Sequence, residues 1–193
     1  MKKGTIVTII IIAVVAIWGV SQYNGLVSQD ESVEKAWNNV QTQYQRRADL
    51  IPNLVNTVKG YAQHEKETFE AVVNARAKAT QITLDASDLT AEKLEQFQKA
   101  QSELSSALGK LIAVSESYPE LKASEQFSEL QAQLEGTENR IQQYRETFNA
   151  EVKDYNVKVR KFPMNIFAGM FGFDRKSGFE AEAGAEKAPE VNF

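Results

Sequence analysis

The chain has 193 residues, a net charge of -4, and only 10 glycines and 4 prolines. The mild acidity argues against a nucleic-acid partner, which needs a basic face. The absence of cysteine excludes disulfides, thiolate metal sites and cysteine nucleophiles.

Lys2 and Lys3 precede an apolar run from Ile6 to Val20 that only Thr8 and Gly19 punctuate. With its flanks to Val27 the uncharged stretch reaches the length needed to cross hydrocarbon, about 20 residues. Trp18 and Tyr23 stand near its far end, where interfacial aromatics are expected. The stretch lacks a good small-x-small cleavage site, so it reads as an uncleaved anchor more than a signal peptide. The lysines before it, against Asp30, Glu31 and Glu34 after it, place the N-terminus in the cytoplasm and the body outside. The expected domains are an anchor over residues 1–27, a helical body over 28–162, and an apolar segment with an acidic flexible tail over 163–193.

Beyond the span, apolar residues recur at steps of three and four: Val33, Trp37, Val40, Tyr44, Ile51, Leu54, Val58, Tyr61, Val72, Ala75, Ala79. That period predicts helix. Arg47, Glu65 and Thr68 interrupt it, and Pro52 lies inside it. Pro52 either bends this helix or sits in the first turn of a new segment capped by Asp49. A reversal near Gly60, with that glycine as a left-handed cap, would give four packed helical segments instead of one long helix. "TLDASDLT" predicts a turn, with Asp88 or Thr90 capping a helix that carries Leu94, Phe97, Gln101, Leu104, Leu108, Leu111 and Ser115. Pro119 closes that helix, and Ser124 caps the last one, whose stripe runs from Phe127 through Leu130, Leu134, Thr137, Ile141, Tyr144, Phe148, Val152, Tyr155 and Val159 to Phe162. No strand-like alternation interrupts the pattern. The expected fold is all-α: an antiparallel up-and-down bundle preceded by one transmembrane helix.

Chemistry-bearing patterns are sparse. His64 is the single histidine, and the zinc partner expected four residues on is Thr68. No nucleophile elbow or phosphate loop is present, so no catalytic, cofactor or metal residue is assigned. Arg47 and Glu65 are charges on the apolar stripe and must pair, snorkel or face a gap. Glu138, Arg140 and Arg76 are their candidate partners. Arg47, Asp49, His64, Glu65, Glu138 and Arg140 therefore form the candidate polar set. As a small-ligand or metal module, Arg47, His64, Glu65 and Glu138 would have to converge in one cavity. "FPMNIFAGMFGF" is too short to span a bilayer. Its Phe162, Ile166, Phe167, Met170, Phe171 and Phe173 form a candidate contact patch, docked on the bundle or on a membrane or partner surface.

The segments "YNGLV", "AWNNVQTQYQRRADLIPNLVNTVKGYAQHE", "AVSESYPELKASEQFSELQAQLEGTENRI", "FNAEVKDYN" and "FPMNIFAGMFGF" together resemble the LemA family, from Tyr23 to about Phe173. The resemblance implies a bacterial-type membrane protein with an N-terminal transmembrane helix, a four-helix bundle and no established enzymatic activity. It carries the opposite membrane orientation as an alternative, and it assigns no chemical role to the motif residues. The combined expectation is a non-enzymatic scaffold or adaptor of the bacterial cytoplasmic membrane. Its partners would be the bilayer through residues 5–27, unidentified envelope or membrane proteins, and a second copy of the chain.

Overall fold

The computed structural model describes residues 3–180, and over these the chain is helical without strands. Helix α1 runs unbroken from Lys3 to Tyr61. Helices α2 (Lys66–Gln81), α3 (Ala91–Val114), α4 (Pro119–Lys122), α5 (Glu125–Arg160) and α6 (Met164–Phe171) follow. The first part of α1 is long and apolar enough to cross a membrane, and its side chains from Ile6 to Val20 lie exposed. The expected all-α antiparallel bundle is present. It begins at Leu26, the first fully buried side chain.

The periodic stripes make the core. Val33, Trp37, Val40, Tyr44, Ile51, Leu54 and Val58 of α1 are all buried. They face Leu134, Ile141, Phe148, Val152, Tyr155 and Val159 of the antiparallel α5. Thr90 caps α3 by accepting from the Lys93 amide, and Ser124 caps α5 by accepting from the Phe127 amide. The chain reverses after Tyr61, as four packed segments require, but Gly60 does not make the turn. Gly60 stays inside α1, and the positive φ among the described residues belongs to Gly172. Ala62 closes the corner instead, its amide bonding to the Val58 carbonyl with its side chain fully buried. Tyr61, expected on the stripe, is 44% exposed as a result.

Pro52 neither ends α1 nor begins a segment capped by Asp49. It lacks the amide that would bond the carbonyl four residues back, that of Ala48. Arg76 of α2 fills the vacancy: its Nε donates to the Ala48 carbonyl oxygen at 2.8 Å. The break in the ladder of α1 is thus the point where α2 is fastened to it.

Helix α2 is short, so it covers only the part of α1 distant from the apolar span. Two other elements cover the near part. The α2–α3 connection folds onto Trp37, whose Nε1 donates to the Leu84 carbonyl at 3.0 Å. The residues after α6 return along α5 as an extended strap. Asn156 and Asn149, seven residues apart on α5, each grip the strap backbone twice. Asn156 pairs with the amide and carbonyl of Lys176 (3.0 and 2.8 Å) and Asn149 with those of Phe179 (2.8 and 3.0 Å). The approach is close enough that a Cβ on Gly178 would meet Asn149 Oδ1 at 2.7 Å. Phe179 is buried against Trp37 and Phe148, with the Arg145 guanidinium 4.5 Å from its ring centre. Phe179 and Glu180, the first residues of the segment expected to be a flexible tail, are held by Asn149 and Gln98; the rest of that expectation falls on residues 181–193, outside the described ones. Phe162, expected to end the stripe of α5, is 81% exposed, since the helix stops at Arg160.

The pairing of Pro52 with Arg76 is testable by a double-mutant cycle. Arg76→Met removes the donor and orphans the Ala48 carbonyl, so it should destabilise the bundle by about 1–3 kcal/mol. In a Pro52→Ala background the helix supplies its own amide, and the effect should shrink by at least about 0.5 kcal/mol. Additive effects in urea unfolding would contradict the pairing.

Candidate functional site

Arg47 is 2% exposed, in the middle of the bundle. Its Nη1 donates to Glu138 Oε1 of α5 and to Ser105 Oγ of α3, both at 2.8 Å. Its Nη2 donates to the Gln101 carbonyl at 3.3 Å and to Gln101 Oε1. Gln101 passes the connection on, its Nε2 donating to the Ala79 carbonyl of α2 at 3.4 Å. The guanidinium carbon stands 5.1 Å from the centre of the Tyr44 ring. A single side chain of α1 thereby touches α3 and α5 directly and α2 through one intermediary.

This polar layer divides the core in two. One apolar cluster includes Trp37, Tyr44, Phe97, Ile141 and Phe148, and the other includes Ile51, Leu54, Leu104, Phe127 and Leu134. A buried guanidinium without acceptors is strongly disfavoured. Sliding α1 by one turn in either direction would move Arg47 into one of these apolar clusters. The layer thus fixes register, as single polar residues do in coiled coils. Its net contribution to stability is a separate matter, because a buried ion pair loses hydration energy as it gains attraction. Arg47 Nε has no hydrogen-bond partner, and Glu138 keeps 38% of its side chain in solvent.

The remaining candidates lie apart. Asp49 is exposed and accepts from Gln45 Nε2 at 2.7 Å within α1. Arg140 is exposed on α5, two residues beyond Glu138 but turned away from Arg47. His64 is exposed in the α1–α2 turn. Glu65, in the same turn, accepts from the Tyr118 hydroxyl at 3.3 Å and ties that corner to the one before α4. From Arg47 to the end of α1 at Tyr61 is roughly 20 Å of helix. Arg47 and Glu138 meet, but His64 and Glu65 do not join them, so the four do not form one cavity. Among the described residues no three His, Asp or Glu side chains gather as metal ligands. An open groove of ≈ 820 Å³ adjoins the layer, lined in part by Gln41, Gln45, Arg46, Asp49, Thr80 and Gln101.

The contact patch splits. Phe167 and Phe173 are half-buried, and Phe167 packs edge-on against Trp18 with ring centres 5.6 Å apart. Tyr23 is edge-on to both Phe171 (5.0 Å) and Phe173 (5.7 Å). Phe162, Ile166, Met170 and Phe171 keep more than half their area exposed. Lys158 Nζ donates to the Gly25 carbonyl of α1, and a Cβ on Gly25 would press on that amine at 2.9 Å. Lys176 bonds to Asp30 at 2.7 Å. Burial, with the Asp30 and Asp174 carboxylates adding to it, pushes the Tyr155 phenol up to about 12, and its hydroxyl donates to the Asp174 carbonyl at 2.8 Å. Burial likewise raises the Tyr44 phenol, against the lowering influence of Arg145 and Arg47.

Sequence reasoning missed Ser105, the Arg76–Ala48 link and the two gripping asparagines. The asparagines carried a signal: seven residues apart, each lies next to a stripe residue of α5, Phe148 and Tyr155. The layer makes a direct prediction. Glu138→Gln removes the charge facing Arg47 and should destabilise the bundle by about 1–2 kcal/mol, a value held down by the partial solvation of Glu138. Arg140→Gln, two residues away, should leave the melting temperature near that of the parent. Equal melting temperatures for the two variants would contradict the assignment.

Comparison with known proteins bears on most of the chain. The family model described as the LemA family matches residues 36–193. Magnetosome protein MamQ 2 of Paramagnetospirillum magneticum is 25% identical, over 93% of this chain and 74% of its own length. Magnetosome protein MamQ of Magnetospirillum gryphiswaldense is 27% identical, over 82% of this chain and 64% of its own. Protein LemA of Metamycoplasma hominis is 24% identical, over 77% of this chain and 64% of its own. With the family match covering most of its length, from Ala36 to Phe193, the chain belongs to the LemA family.

Proposed function

We propose that the chain is a membrane-anchored, non-enzymatic scaffold or adaptor of the cell envelope, acting through protein or membrane contacts. The observation that carries this reading is the continuity of α1. The exposed apolar stretch and the buried stripe belong to one 59-residue helix, roughly 90 Å long at 1.5 Å per residue. No linker lies between them, so the anchor dictates the height and direction at which the bundle meets its partners. The names of the relatives support the same reading, since they denote a cellular structure or a family and no reaction. The anchor occupies residues 5–27 in this reading. Lys2 and Lys3 before it, against Asp30, Glu31 and Glu34 beyond it, favour a cytoplasmic N-terminus and an extracytoplasmic bundle. The partners are envelope or membrane proteins, a second copy of the chain included.

Both parts can be tested in cells. The chain has no cysteine, so Ser87→Cys, at an exposed position in the α2–α3 connection, gives a single reporter. A membrane-impermeant maleimide should label it in intact cells. Labelling only after lysis would reverse the orientation. Crosslinking in the same cells should yield adducts heavier than the monomer, and monomer alone, where known complexes are trapped, would contradict the scaffold.

A further inference from the structure

Helix α6 lies beside the last turns of the apolar span. Phe167 packs on Trp18 and approaches Gly19, where a Cβ would meet the Phe167 ring at 3.6 Å. Phe171 and Phe173 pack on Tyr23. Exposed on α6 or just before it are Phe162 (81%), Met170 (72%), Ile166 (53%) and the free part of Phe171 (52%). No charge occurs between Phe162 and Phe173, whereas Arg160 and Lys161 before it and Asp174 and Arg175 after it are exposed just outside these limits.

We infer that α6 is a second, interfacial membrane contact: a short helix lying in the headgroup region of the bilayer on the same side as the bundle, with Phe162, Ile166, Met170 and Phe171 inserted among the upper acyl chains. The inference rests on the anchor reading of α1, because the level of α6 is set by its contact with α1. A hydrocarbon core of about 30 Å takes up about 20 residues of helix. An anchor that begins near Thr5 therefore emerges at about Tyr23, and Trp18 and Tyr23 fall in the interfacial zone that such aromatics prefer. Side chains packed on Trp18 and Tyr23 are at the same depth, so the exposed face of α6 is continuous with the lipid-facing surface of α1. A short apolar helix whose borders carry three cations against the one carboxylate of Asp174 fits this zone, since its apolar face enters the acyl boundary while Arg160, Lys161 and Arg175 reach anionic headgroups. The other occupant of such a patch, a protein surface, would not need the patch to sit at the level of the interfacial aromatics.

The test uses the full chain reconstituted in phosphatidylcholine vesicles, with and without about one-third phosphatidylglycerol. Single-cysteine variants Met170→Cys and Ile166→Cys carry an environment-sensitive fluorophore, as do Ile12→Cys in the span and Glu120→Cys at the opposite end of the bundle. Labels at positions 170 and 166 should be quenched by lipids brominated high on the acyl chain and shielded from aqueous iodide. The label at 120 should show the reverse, and the one at 12 should be quenched by lipids brominated deep in the chain. The anionic lipid should strengthen quenching at 170. Quenching at 12 together with iodide access at 170 and 166 would overturn the inference while leaving the anchor intact. Loss of lipid quenching at 12 would overturn the anchor reading and this inference with it. Labels at 170 and 166 shielded from both quenchers would mean that protein covers the face, and would also overturn it.

Discussion

One guanidinium sets the register of this bundle. Apolar stripes tell helices which faces to bury but not how far to slide along one another, because leucine packs on leucine almost as well one turn higher. Arg47 removes that freedom. It is fully surrounded by protein, and its acceptors come from Ser105, Gln101 and Glu138 on two other helices. Moving any of these helices by a turn strands a buried charge. The link from Gln101 to Ala79, and the link from Arg76 to the carbonyl that Pro52 leaves free, bring α2 under the same constraint. Arg47, Ala48 and Pro52 lie within six successive residues, so the stretch that looks least helical in the sequence is the junction of four helices.

The constraint matters because the two ends of the bundle are built differently. Away from the apolar span, four helices pack conventionally. Near the span, α2 is absent, and α1 and α5 are covered by the α2–α3 connection and by the strap that Asn149 and Asn156 hold. The strap follows α6, and α6 rests on the span itself. The position of α6 thus derives from register fixed at the centre and carried down the unbroken α1. In the proposed placement this chain of contacts sets the bundle upright over the bilayer and brings a second apolar element to its surface.

Much of this was legible in the residues. The stripes from Val33 to Val58, from Leu94 to Leu111 and from Phe127 to Val159 are buried as their spacing requires, with Leu130 and Tyr144 only half-buried, and Thr90 and Ser124 cap where they should. Arg47 stood out as a charge on a stripe, and Glu138 was among its candidate partners. What stayed hidden involves the backbone. Arg76 bonds a carbonyl, and nothing in side-chain patterning marks which carbonyl is free, although the proline four residues on does so in retrospect. The strap escaped because extended chain has no period of its own, and its partners are two asparagines that bind main chain. Glu65 looked like a companion of Arg47 because it shares the stripe. The reversal at Ala62 turns that stripe back on itself and leaves Glu65 at a distant corner beside Tyr118.

The central claim is that anchor and bundle form one rigid body through α1, and amide hydrogen exchange on the full chain in bilayer vesicles tests it most directly. Where α1 leaves the span, residues 21–35, exchange should be as slow as in the stripe that follows, because one helix runs through both and Leu26 and Val33 are fully buried. Fast exchange confined to residues 21–30, with protection on both sides, would reveal a hinge and contradict the claim.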